Sequence, residues 1–119
     1  MKSLIIIAHG SKVKQSNDEI INISENISNI IDKTTYDKVE YAFLELTTPS
    51  LEDTLIKCIE NNSTQITIFP YFLAAGKHVK ADIPEIVNIF KGKYSNIDFK
   101  VLPHFGKCVG IEDLILANS

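Results

Sequence analysis

The sequence predicts an α/β fold, an open four-stranded parallel sheet with helices flanking its faces. Two observations carry this. Apolar runs of strand length alternate with segments of helical periodicity in the order β-α-β-α-β-α-β-α, which calls for parallel strands joined by right-handed crossovers. The first run, Ser3 to Ala8 (SLIIIA), is almost continuously apolar, as in a strand buried on both faces.

Each element has its own local reason. The first strand stops at His9-Gly10. Ser16 to Glu19 reads S-x-x-E, a capping box. Behind it Ile20, Ile23, Ile27, Ile30 and Ile31 recur at helical spacing, so a helix is expected to about Lys33. Residues 38–46 (KVEYAFLEL) read as the second strand. Thr48-Pro49 reads as a helix start, with Thr as cap and Pro in the first helical position. That helix carries Leu51, Leu55, Cys58 and Ile59 and ends at Asn61-Asn62. Residues 65–70 (QITIFP) form the third strand, and a loop, FLAAGKHVKA, follows. Asp82 is the expected start of the third helix, with Pro84 in its first turn and Ile83, Ile86, Val87 and Phe90 on one face. Residues 97–102 (IDFKVL) are the fourth strand, and a short helix from about Gly110 to Ala117 closes the order.

Composition narrows the function. With 119 residues, the chain reads as a single domain over residues 1–119. It is 45% hydrophobic and 23% charged, as ordinary soluble globular proteins are. No apolar run approaches the roughly 18–20 residues of a membrane span. The run before His9 is too short for a signal peptide, so a cytoplasmic protein is expected. Net charge is −3, without the basic excess of a nucleic-acid binder. All 12 residues counted as Lys+Arg are Lys. A bidentate guanidinium clamp on phosphate or carboxylate is therefore excluded, and with it the histidine phosphatases that His9-Gly10 would otherwise suggest. Cys58 and Cys108 lack CxxC spacing and are expected to be reduced thiols, Cys58 in the core.

In open α/β sheets ligands bind at the carboxyl ends of the strands. His9 ends the first strand, Glu45 the second, His78 lies in the loop after the third and His104 follows the fourth. Segments 9–17, 70–81 and 102–111 hold Lys12, Lys14, Lys77, Lys80 and Lys107 and no Asp or Glu, although the helix-start residue Asp82 stands next to them. An acidic protein thus has one locally basic rim, suited to an anionic ligand. Blander readings stand beside these. A single His after a strand is often a plain loop residue, loop lysines are commonly just solvated, and Glu45 could serve the Thr47-Thr48-Pro49 turn. His104, beside Pro103, is the weakest of the three histidines. Gly76-Lys77 is not a phosphate loop, because Tyr71 replaces its first Gly and His78 its Mg²⁺-binding hydroxyl. No GxGxxG follows the first strand, so a dinucleotide site is unsupported.

Three segments, AHGSK, FLELTTPSLEDTL and FPYFLAAGKHVKADIPEI, together resemble the class II sirohydrochlorin chelatases. The likeness is greatest to their short, single-domain form linked with cobalt and nickel insertion, and it runs in order along nearly the whole chain. The resemblance implies a flavodoxin-like chelatase fold, a homodimer and a cobaltochelatase-type lyase. The implied reaction places Co²⁺, Ni²⁺ or Fe²⁺ in sirohydrochlorin, an eight-carboxylate tetrapyrrole, in cobalamin or related tetrapyrrole biosynthesis. Two protons are released, the metal is a substrate, and no organic cofactor, nucleic acid or membrane takes part. It further implies His9 as metal ligand and proton acceptor and His78 as second metal ligand. Glu45, Phe72, Leu73, Ala74, Ala75, Gly76 and Lys77 match substrate-binding positions, and Pro103 and Gly106 the loop after the last strand. His104 matches no position tied to the chemistry.

Residue chemistry agrees. Imidazole suits Co²⁺, Ni²⁺ and Fe²⁺, and two imidazoles hold an ion less firmly than a closed four-ligand cage. Free imidazole titrates near pH 6.5, so it can accept a pyrrole proton at neutral pH. Phe72, Leu73 and the small residues Ala74, Ala75 and Gly76 offer a flat wall to a macrocycle, and the lysines suit its acid arms. A non-catalytic metal or tetrapyrrole carrier on the same fold is the alternative. Glu45 and the Lys-rich loops, which a two-His metal carrier does not require, separate the two. A phosphate-binding module is a third reading, weakened by the missing phosphate loop.

Overall fold

A computed structural model describes residues 1–119. The strands are β1 (Lys2–Ala8), β2 (Lys38–Phe43), β3 (Gln65–Pro70) and β4 (Asp98–Val101), and the α-helices are α1 (Lys14–Ile30), α2 (Leu51–Glu60), α3 (Ile83–Lys93) and α4 (Ile111–Ala117). A π-helical turn, His78–Asp82, leads into α3, and a 3₁₀ turn spans Phe105–Lys107. The sheet is parallel throughout, in the order β2-β1-β3-β4. The expected α/β fold with four parallel strands is therefore present.

The crossover rule distributes the helices. The chain moves from β1 to β2 in one direction across the sheet, then back past β1 to β3 and on to β4. Right-handed crossovers thus put α1 on one face and α2 and α3 on the other. The second face holds the main core, where Ile5, Ile7, Ile66, Ile68 and Phe99 of the sheet meet Leu51, Leu55 and Cys58 of α2 and Ile83, Val87 and Phe90 of α3. Burying an aliphatic side chain of this size contributes about 1.5–3 kcal/mol. β1 pairs on both sides, and Leu4 to Ala8 are all buried, as the unbroken SLIIIA run requires.

Several local expectations are corrected. Helix α1 begins at Lys14, so Ser16 lies inside its first turn and its amide donates to the Val13 carbonyl at 3.1 Å. The Ser16–Glu19 capping box is therefore not used. The helix stops at Ile30, which is exposed, and the residue it buries best is Ser24, whose hydroxyl donates to the Ile20 carbonyl at 3.0 Å. Ser50, not Thr48, caps α2, its hydroxyl accepting from the Asp53 amide at 3.0 Å. Pro49 stays outside that helix, its carbonyl taking the Phe43 amide at 2.9 Å. β2 and β4 are shorter than expected, but the backbone runs on beside its neighbours: the Leu44 amide donates to the Ala8 carbonyl and the Leu102 amide to the Ile68 carbonyl. The largest hollow, roughly 440 Å³, lies on the α1 face between Leu4, Ile6, Ile23, Ile27, Phe69, Tyr71 and Phe105. Its lining is apolar and lacks histidine and carboxylate, so the chemistry belongs elsewhere. No helix is long and apolar enough to cross a membrane.

Candidate metal centre

His9 follows the last residue of β1. The amide of Glu45 donates to the His9 carbonyl at 3.1 Å, continuing the β1–β2 ladder past its end and setting the two side chains next to each other. Gly10 makes this approach possible. Its φ is +97°, and a Cβ built there would lie 1.9 Å from the Glu45 carbonyl oxygen. Beyond it, Asn17 ties down the loop: its Oδ1 accepts from the Ser11 amide at 3.0 Å and its Nδ2 donates to the Ser11 carbonyl at 2.8 Å.

His78 comes from the other side of the edge, as the first residue of the π-helical turn. Its Nε2 lies 3.8 Å from Glu45 Oε1, while His9 Nε2 lies 2.7 Å from the same oxygen. The two imidazoles meet edge to face with centroids 4.7 Å apart. One donor atom each from His9, Glu45 and His78 falls within 4.8 Å of the others. Two imidazole nitrogens and one carboxylate oxygen so placed could hold a first-row divalent ion and leave positions open. His9 and Glu45 side chains are each 49% exposed and His78 is 28% exposed, so the cluster opens outward. A hollow of about 370 Å³ adjoins it, lined by Leu44, Glu45, His78, Asp82, Glu85, Ile86 and Ile89.

The remaining expected site residues divide. Phe72 is half-buried against the core and meets His9 edge-on at 6.3 Å. Leu73 is 76% exposed; Ala74, Gly76 and Lys77 are exposed, and Ala75 is half-buried. Gly106 braces this loop: its amide donates to the Phe72 carbonyl at 3.0 Å, and a Cβ there would sit 1.8 Å from the Leu73 carbonyl oxygen. Tyr71 turns away and stacks on Phe105 at 5.2 Å. His104 does not join the cluster and is buried, at 7% exposure.

The basic rim needs correction. Lys12, Lys77, Lys80 and Lys107 are exposed, but Lys14 is engaged with Asp18 at 2.8 Å. The acid-poor segments end against acids contributed by α3 and the turn before it: Asp82 contacts His78, and Glu85 lines the same hollow. Asp82 is the site residue that sequence reading undervalues. A His-x-x-x-Asp spacing ahead of a helix was the available signal, since residues four apart share a helical face.

Comparison with known proteins gives a consistent picture. The sirohydrochlorin cobaltochelatase of Methanococcus maripaludis is 32% identical over 77% of this chain and 62% of its own length. The sirohydrochlorin ferrochelatase of Priestia megaterium is 30% identical over 98% of this chain and 42% of its length. The solved structure of the sirohydrochlorin chelatase SirB from Bacillus subtilis subspecies spizizenii in complex with cobalt superposes with a TM-score of 0.76 at 27% identity. It covers 84% of this chain and 42% of that one. The chain thus spans about three-fifths or less of the length of these relatives. Residues 3–118 match the family model of CbiX, and the chain belongs to the CbiX family.

Proposed function

We propose that this chain inserts a divalent metal ion into sirohydrochlorin, as a sirohydrochlorin chelatase of the cobaltochelatase kind. The observation that carries the reading is the convergence of His9, Glu45 and His78 donor atoms within 4.8 Å at the carboxyl edge of the sheet. The names of the relatives, which act on the same tetrapyrrole with cobalt or iron, support it.

The chemistry follows from the residues. The metal enters as a substrate on His9 Nε2, His78 Nε2 and a Glu45 oxygen. Three donors leave coordination positions for the pyrrole nitrogens, so the ion can be passed on without first being released to water. The proton shared between His9 Nε2 and Glu45 across their 2.7 Å contact leaves as the ion enters, and once the ion has passed to the pyrrole nitrogens the vacated Nε2 can take a displaced N–H proton and share it with Glu45. The macrocycle lies over Phe72, Leu73, Ala74, Ala75, Gly76 and Lys77, and its carboxylates meet Lys12, Lys77, Lys80 and Lys107. Ni²⁺, Co²⁺ and Fe²⁺ all suit such donors, with Ni²⁺ the tightest on the Irving–Williams trend.

Residues 1–119 act as one chelatase domain, and the cluster is too open to enclose a tetrapyrrole by itself. A homodimer with twofold symmetry supplies the other wall. Exposed Val109, Leu114, Ile115 and Leu116 give apolar surface for such pairing. Both cysteines are unpaired, which suits the reducing cytoplasm.

The test is anaerobic absorbance of sirohydrochlorin in molar excess over protein, with Co²⁺, Ni²⁺ and Fe²⁺ in turn. Many turnovers per chain above the buffer rate are expected. Conversion that stops at one equivalent per chain would indicate a carrier and refute the enzyme.

A further inference from the structure

Asp82 contributes no atom to the three-donor cluster, yet its Oδ2 lies 2.6 Å from His78 Nδ1. A neutral imidazole carries one N–H and one lone pair, and a carboxylate only accepts. The short contact therefore puts the His78 proton on Nδ1. The lone pair is left on Nε2, the nitrogen facing Glu45.

The backbone builds this contact. In the π-helical turn the Ile83 amide donates to the His78 carbonyl, five residues back. Pro84, just beyond, has no amide hydrogen with which to close an ordinary helical turn onto the Lys80 carbonyl. The widened turn brings residues four apart closer to eclipse, and His78 and Asp82 are such a pair. Both side chains are sheltered, at 28% and 32% exposure. His9 shows the contrast: its contact with the cluster is through Nε2 to Glu45, and its Nδ1 has no carboxylate behind it.

We propose that Asp82 is a positioning residue for the metal centre: by accepting from Nδ1 it fixes the tautomer and ring orientation of His78, so that Nε2 presents its lone pair to an ion shared with His9 and Glu45. This rests on the reading of His78 as a metal ligand. Carboxylates behind ligating histidines act in this way, and removing such a partner typically costs 10–100-fold in metal affinity or activity.

The test uses the whole ¹⁵N-labelled chain without tetrapyrrole. Long-range ¹H–¹⁵N correlation at pH 8 reports the tautomer of each histidine, and competition with a chelator gives Co²⁺ affinity. The parent is expected to show His78 as Nδ1–H. In Asp82→Ala, His78 should move toward Nε2–H, His9 should keep its pattern, and Co²⁺ affinity should fall about 10–100-fold. Asp82→Glu should restore much of both, which a merely structural role would not do. Should Asp82→Ala fail to fold, the near-isosteric Asp82→Asn takes its place, with an affinity loss of several-fold expected. An Asp82→Ala variant that keeps the Nδ1–H tautomer, or an Asp82→Ala or Asp82→Asn variant that keeps parental Co²⁺ affinity, would overturn the role; Asp82→Asn retains an amide oxygen that can accept from Nδ1–H, so its affinity is the readout. A parent with His78 as Nδ1–H that takes up no Co²⁺ would overturn the metal reading itself.

Discussion

Replacing Gly10 by Ala should damage both the fold and the site, and the structure sets the size of the damage. The new Cβ would lie 1.9 Å from the Glu45 carbonyl oxygen and 3.1 Å from its carbonyl carbon. Ordinary contact begins near 3.4 Å, so the backbone must separate by more than an ångström, and no side chain can yield instead. The residue also sits at φ +97°, where an L side chain is strained by about 1–3 kcal/mol. Overpacking adds about 1–3 kcal/mol, giving a loss of about 2–6 kcal/mol. At about 4 °C per kcal/mol for a chain of this size, that lowers Tm by roughly 8–24 °C. The displaced segment carries Glu45, so the 2.7 Å His9–Glu45 contact should open and Co²⁺ binding should weaken with it. Thermal unfolding and a Co²⁺ titration measure the two effects. Gly92→Ala is the control: it lies inside α3 with nothing within 4 Å of its added Cβ, and it should stabilise by about 0.5–1 kcal/mol. A Gly10→Ala protein melting within 2 °C of the parent and binding Co²⁺ equally well would refute the close approach of Gly10 to Glu45.

Other outcomes follow from the same geometry. Gly106→Ala, whose Cβ would meet the Leu73 carbonyl oxygen at 1.8 Å, should displace the Phe72–Lys77 loop and raise KM for sirohydrochlorin more than it lowers kcat; unchanged steady-state constants would contradict this. His104→Ala should leave Co²⁺ affinity intact but cost about 1–3 kcal/mol, since the ring is buried; chemical denaturation separates the two effects. Burial pushes the Cys58 thiol from an ordinary 9.0 up to about 11. The folded chain therefore holds that proton after the unfolded chain has lost it, and this contribution to stability, complete below pH 9, disappears as pH rises through 11. It amounts to about 2 kcal/mol by pH 11, measurable as the extra alkaline loss of the parent relative to Cys58→Ala; identical pH profiles would contradict it.

The histidines and Glu45 are legible in the sequence because strand ends are legible. An unbroken SLIIIA run and a half-buried KVEYAF run stop where the chain must turn, and parallel strands turn at the same edge. Cys58 is legible as core because its stripe with Leu51 and Leu55 has helical period, and all three are buried. The order β2-β1-β3-β4 is not spelled out by alternation, which is compatible with several strand orders. Ser16 and Thr48 mislead for a shared reason. Each belongs to a plausible capping pattern, but the cap position depends on where the preceding strand releases the chain: a local turn bond from the Ser16 amide to the Val13 carbonyl starts α1 early, and the Phe43 amide holds the Pro49 carbonyl outside α2. Asp82 is legible as the start of α3, which begins at Ile83 directly after it with Pro84 in the first turn, but not as the partner of His78. The π-helical turn upstream, which ties Asp82 to His78, leaves no periodic signature in five residues. His104 is placed at the edge by its position after β4, yet the ring is buried, an orientation that sequence position alone does not contain.

On the function proposed above, His9 and His78 hold the metal that this chain inserts. The most direct measurement is the initial anaerobic rate of Co²⁺ insertion into sirohydrochlorin per mole of chain, corrected for the reaction in buffer, in the parent and in a chain carrying both His9→Ala and His78→Ala. Both side chains lie outside the buried core, so the doubly substituted chain should melt within a few degrees of the parent. Multiple turnover is expected in the parent and the buffer rate in the substituted chain; a substituted chain that turns over within twofold of the parent would show that the two histidines do not carry the metal.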